Sequence, residues 1–173
     1  MKIWETVRKT ALFALILALA LPFCGCTRDK RFDYTELDLR LEELAPQFAF
    51  RCEDLFFADG VYYCYYSLGA PNDALLTAKE DADGRLDRIT LTLAAPPTDP
   101  RFADFRAFAL ALAEIFIPEA DTAAICEKTK LDAPAAMLEQ TLGCCRSGFY
   151  SAAAFAAPEA TCFILQYSTL YEK

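Results

Sequence analysis

Eight cysteines and no histidine set the terms for any chemistry in this chain. Cys24 and Cys26 stand one residue apart in Leu21-Pro-Phe-Cys-Gly-Cys-Thr-Arg-Asp-Lys30, where an apolar run meets a charged one. The others are Cys52, Cys64, Cys126, Cys144, Cys145 and Cys162. An even number of thiols in an exported domain invites disulfides. The missing histidine excludes Ser-His-Asp and Cys-His nucleophile systems, histidine-ligated zinc and a histidine pH switch. Cys144-Cys145 lacks the C-x-x-C spacing of a thiolate metal site, so no metal is expected there.

Carboxylates are the remaining candidates. Glu42-Glu43 and Glu53-Asp54 are adjacent pairs, and two carboxylates flanking a bond can hydrolyse it by acid–base catalysis. Adjacent acids on a helix or strand surface are ordinarily just hydrated. Asp81-Ala-Asp-Gly84 with Asp87 has some acid spacing of a calcium loop. Its glycine arrives two positions early and no glutamate stands at the twelfth position, so a hairpin turn is expected instead. Ser67, Ser147, Ser151 and Ser168 lie in no G-x-S-x-G or S-x-x-K context. These residues read as a non-enzyme with no catalytic residue, no cofactor and no metal.

The leader says more. Lys2, Arg8 and Lys9 precede an uncharged run from Ala11 to Cys26, the layout of an export signal. That run is roughly 24 Å long as a helix, short of the roughly 30 Å hydrocarbon core. Pro22 also weakens helix continuation. Ala18-Leu19-Ala20 has the A-x-A form of ordinary signal cleavage. Phe23-Cys24-Gly25-Cys26, however, resembles the lipobox of bacterial lipoproteins, although leucine is commoner than phenylalanine at the first place. The residue before the modified cysteine must be small. Gly25 therefore selects Cys26, and Phe23 disqualifies Cys24.

The resemblance covers only the first 26 residues. It implies a signal peptide over 1–25, a diacylglyceryl group on the Cys26 thiol, and Cys26 as the new N-terminus. It also implies a partner, the membrane, reached through the lipid anchor on the extracytoplasmic face of a bacterial cell membrane. Each buried methylene contributes about 0.8 kcal/mol, so two or more chains hold where one holds marginally. Residues 26–33 are expected to be lipidated cysteine and solvated tether, followed by one domain over 34–173.

Removing 1–25 takes three bases and one acid from totals of 17 and 25. The remaining 148 residues carry 14 bases and 24 acids, a formal charge of −10. Such a body without a basic stripe excludes nucleic acid, whose affinity rests largely on phosphate neutralisation. A chain of this length buries about 68–70% of its unfolded surface, enough for an unaided core.

Element signals follow in order. Thr35-Glu-Leu-Asp38 offers an N-cap for a helix over roughly 36–45, with Leu37, Leu41 and Leu44 on one face and Pro46 as its stop. Residues 48–57 and 61–68 read as a hairpin across 58–60, and 75–80 and 85–93 as a second hairpin across 81–84. Asp99-Pro100 provides a cap and first-turn proline for a central helix ended by Pro118. Asp121 can cap a short helix through Lys128. Asp132 can cap another through Leu142, with Gly143 as its C-terminal stop. Strands over 149–156 and 161–167 close the chain. Strands on both sides of a helical block predict an α+β single domain, an antiparallel sheet of about six strands covered by helices.

Within the first hairpin a 58–60 loop sets Cys52 opposite Tyr66 and diagonal to Cys64, making Cys52 and Cys64 the first candidate disulfide. Cys126 can reach Cys144 or Cys145, leaving Cys162 with the other. Tyr62 and Tyr66 share a face with Cys64, while Tyr63 and Tyr65 share the opposite one. Tyr63 and Tyr65 are the candidate binding surface, since half-exposed tyrosine stacks on sugars or anchors protein partners. The expected function is a non-catalytic anchored lipoprotein that binds an envelope protein or glycan. A small carboxylate hydrolase and a structural or inhibitory lipoprotein are the alternatives.

Overall fold

Strict two-residue alternation of apolar side chains organises the chain around one sheet. The computed structural model describes residues 31–44, 52–117, 122–131, 143–147 and 150–167. The elements are α1 (Tyr34–Leu44), β1 (Cys52–Ala58), β2 (Val61–Tyr66), β3 (Ala74–Glu80) and β4 (Leu86–Leu93). After them come α2 (Phe102–Phe116), α3 (Thr122–Thr129), β5 (Gly143–Ser147), β6 (Tyr150–Ala157) and β7 (Ala160–Tyr167). The sheet order is β1-β2-β3-β4-β7-β6-β5, antiparallel throughout. Two meanders meet where β4 lies beside β7, and α2 and α3 belong to the connection between them. The α+β class and the helix-covered antiparallel sheet are as expected. The sheet includes one short strand more, β5, which begins at Gly143 where a helix stop was expected. The helix expected over 132–142 lies outside the described residues.

One face of the sheet carries the core. Ile89, Leu91 and Leu93 of β4 are buried, whereas Arg88, Thr90 and Thr92 turn to the other side. Cys64, Tyr66, Leu76, Phe163 and Leu165 continue the buried face. On it sits α2, whose Phe105, Phe108 and Leu112 are buried to 1% exposure or less. Tyr66 meets Phe108 edge-on at 4.9 Å. Ala152, Ala154 and Ala156 line β6 on the same side. Alanine favours strands weakly, so packing places β6, its small side chains filling space left by aromatic ones.

Local chemistry shifts several boundaries. α1 begins at Tyr34, and its cap is Asp33 rather than Thr35. The Glu36 N–H donates to Asp33 Oδ1 at 2.9 Å and the Leu37 N–H to the Asp33 carbonyl at 3.2 Å. Asp33-x-x-Glu36 has capping-box spacing, and Phe32 and Leu37 occupy the hydrophobic-staple positions. α2 begins at Phe102, two residues beyond Pro100. Asp99 instead builds a turn ahead of it, Oδ1 accepting the Arg101 N–H at 2.9 Å. The Arg101 guanidinium grips the same carboxylate at 2.8 and 2.9 Å, and this hydrogen bonding holds Asp99 down at about 2.

The β1–β2 turn is Asp59-Gly60 alone, with φ of 54° and 76° at its two residues. Positive φ at both positions is the type I′ signature of two-residue hairpins. Compared with a three-residue loop, this slides the pairing by one, to Leu55 opposite Cys64 and Phe56 opposite Tyr63. A bulge between Cys52 and Asp54 absorbs the slip and returns Cys52 to Tyr66. In the β3–β4 turn Asp81 Oδ1 accepts the N–H groups of Asp83 at 2.9 Å and Arg85 at 3.0 Å. That carboxylate closes a hairpin, as the turn reading expected.

The expected free tether ends earlier than residue 33. Arg31 pairs with Asp81 and lies 4.5 Å over the Tyr167 ring. The Phe32 carbonyl accepts the Leu86 N–H at 2.8 Å, and its ring meets Phe116 edge-on at 5.4 Å. Residues 31–33 are thus part of the folded body.

Candidate binding surface

All three described helices pack on the core face, and none of them covers the opposite one. Alternation along β2 delivers Tyr63 and Tyr65 to that open face, both half-buried. Tyr62 and Tyr66 turn inward, Tyr62 stacking on Tyr34 at 3.7 Å with 8° between the rings. Phe56, on the neighbouring β1, stacks on Tyr63 at 4.6 Å and 6° and reaches Tyr65 at 6.2 Å. Phe56 is 44% exposed. Leu75 and Thr77 of β3, Thr90 and Thr92 of β4 and Ile164 of β7 extend the face inward, all half-buried.

The result is a cluster of three roughly parallel, stacked rings at one end of an apolar–hydroxyl surface. Aromatic faces of this kind offer apolar area with hydroxyls at their rims, suited to sugar rings or apolar side chains. Sequence reasoning placed Tyr63 and Tyr65 there but missed Phe56. Its signal was the Asp59-Gly60 dipeptide, which fixes Phe56 opposite Tyr63 once a two-residue turn is assigned.

The described thiols form no comparable centre. Cys52, Cys64 and Cys162 are free thiols, so the expected Cys52–Cys64 disulfide is not formed. Cys64 is fully buried with its Sγ 3.0 Å from the Tyr34 hydroxyl. Burial pushes the Cys64 thiol up to about 11, while burial and the Asp38 charge raise exposed Cys52. Both stay protonated at neutral pH, which suits neither nucleophilic attack nor fast exchange. Cys126 lies in the helix-side core, whereas Cys162 meets Thr92 Oγ1 at 3.5 Å across the open face. The sheet therefore separates Cys126 from Cys162. Side chains of Cys144 and Cys145, and Cys26 itself, lie outside the described residues.

The acidic pairs do not converge either. Glu42 and Glu43 are exposed on α1, where Glu43 meets Arg40 at 3.0 Å, and Glu53 and Asp54 are exposed on β1. Among the described residues no three His, Cys, Asp or Glu side chains are grouped to hold a metal. Nor is any described helix long and apolar enough to cross a membrane. The one buried acid among the described residues, Asp73, accepts the N–H of Leu68 at 2.7 Å and of Ala70 at 3.0 Å. It also takes the Arg101 guanidinium at 3.2 Å. A Cβ on Gly69 would come within 2.9 Å of that arginine side chain, so a larger residue there would push Arg101 out of its present position. The cluster is a structural clasp. Comparison of the chain with protein-family models, curated proteins and solved structures finds no match.

Proposed function

We propose that this protein is a non-catalytic lipoprotein of the bacterial cell envelope, moored through Cys26. In this reading the sheet face that no described helix covers binds an envelope protein or glycan. The observation that carries the binding role is the Phe56–Tyr63–Tyr65 cluster on the face opposite the described helices. The lipobox-like residues Phe23 to Cys26 support the anchor. Residues 27–30 alone then separate Cys26 from the docked Arg31, a reach of at most about 18 Å over five residue steps. The domain would stand close to the bilayer. An acidic body on so short a leash is held by its acyl chains rather than by attraction to anionic lipid.

The test follows two probes of the same surface. Soluble cell-wall glycan fragments should shift the NMR signals of Phe56, Tyr63 and Tyr65. If the ligand is a protein, a photo-crosslinking residue at position 65 should give discrete adducts in intact cells. The same residue at exposed Glu114, on α2 away from the sheet, should give none. Tyr63→Ser with Tyr65→Ser should weaken either response by about tenfold or more, the scale of losing two aromatic anchors. No shift with glycan, and adducts at position 65 no stronger than at 114, would overturn the binding role.

A further inference from the structure

The sheet's β1 edge differs from what an idle edge needs. All seven residues from Cys52 to Ala58 are exposed, and Leu55, Phe56 and Phe57 are 46%, 44% and 55% exposed. β1 pairs with β2 and with no other described strand. The type I′ turn makes Ala58 and Val61 the mutually hydrogen-bonded pair beside it. Antiparallel pairing alternates, so Phe56 bonds toward β2 while the N–H and C=O groups of Leu55 and Phe57 point off the sheet. Natural edges are blunted with lysine, proline or strong bulges. β1 has neither lysine nor proline, and its two charges, Glu53 and Asp54, and its one bulge lie at the Cys52 end, clear of Leu55–Phe57.

Charge selects the occupant. Glu53 and Asp54 lie on the strand, Asp59 follows it, and the Asp38 charge acts on Cys52. A second copy paired antiparallel about Phe56 would set Glu53 against the partner's Asp59 in both halves of the pairing. Like charges in register destabilise such a pair, and two bodies of formal charge −8 also repel. An extended basic segment has neither fault. We propose that β1 adds a strand from a cationic partner, its backbone bonding to Leu55 and Phe57. Apolar side chains of the added strand would cover Leu55, Phe56 and Phe57, with lysine or arginine beside Glu53 and Asp54. This β-augmentation needs no lipid anchor, and it bonds to the edge backbone, meeting the open face only at Phe56.

The probe is a short acetylated peptide of alternating valine and threonine flanked by lysines, titrated into the purified full-length chain. Binding should slow amide exchange at Leu55 and Phe57 and weaken as salt is raised. N-methylating the peptide amides that face β1 should weaken binding about tenfold or more, while methylating the alternate set changes it less than about twofold. Because these changes sit on the peptide, folding of the protein is not at issue. Three results would overturn the proposal. One is no protection at Leu55 and Phe57, and another is equal binding of a peptide with glutamate in place of lysine. The third is a free chain that sediments as a dimer with those two amides already protected, which would make the occupant a second copy. None of the three bears on Cys26 or on Tyr63 and Tyr65.

Discussion

Phe105→Ala should destabilise the domain by about 3–5 kcal/mol, the range for deleting a large buried aromatic side chain. Phe105 is completely buried on the face of α2 that meets the sheet, beside Phe102 at 5.8 Å. The surrounding residues come from strands fixed in register on both sides, which limits how far the site can collapse around a cavity. Domains of this size are stable by only about 5–15 kcal/mol, so a large share of the folding free energy is at stake. Urea unfolding monitored by circular dichroism checks this through a lower midpoint at unchanged slope. Phe105→Leu keeps most of the volume and should cost well under half as much. An alanine variant with the wild-type midpoint would mean that α2 is not the centre of the core.

Asp73→Ala should cost about 3 kcal/mol through a different mechanism. The carboxylate sits at 5% side-chain exposure and accepts two backbone N–H groups while holding Arg101 at 3.2 Å. Hydrogen bonds to a charged acceptor contribute about 1.5–3 kcal/mol, and a buried donor left without a partner costs about 1–3 kcal/mol. Alanine would strand the Leu68 N–H and loosen the loop between β2 and β3. Asp73→Asn keeps one acceptor for Leu68 but loses the charge facing Arg101, so its cost should fall between wild type and alanine. Amide exchange at Leu68 and Ala70 should accelerate in both variants, most in alanine. Unchanged exchange at those two amides would refute the clasp.

How much of this was legible in the residues varies with the kind of signal. The second hairpin and β4 were readable because Arg88 to Leu93 alternate cleanly and a two-layer body has one dry face. Tyr63 and Tyr65 followed from the same period. The cap of α1 was misplaced because Asp33 and Thr35 both suit the role locally. The choice falls to Asp33 through Phe32 and Leu37, which meet the core only once the sheet exists. The one-residue slip in the first hairpin has a similar origin. Turn type was legible from Asp59-Gly60, but the compensating bulge depends on where β2 also pairs with β3. β5 was invisible locally, because Gly143-Cys-Cys-Arg-Ser147 has no alternation of its own and is held by its neighbour β6. The Asp73–Arg101 clasp joins residues 28 apart in sequence, and no local pattern marks a contact of that range.

The anchor on Cys26 is the central claim, and growing cells with an alkyne-bearing fatty acid tests it most directly. The wild-type chain should take up the label, and its intact mass should correspond to a diacylated product beginning at Cys26. Cys26→Ser should lose the label and leave the membrane fraction on gentle lysis. Labelling that survives the serine substitution, or a mature chain that starts at Leu21, would contradict the account.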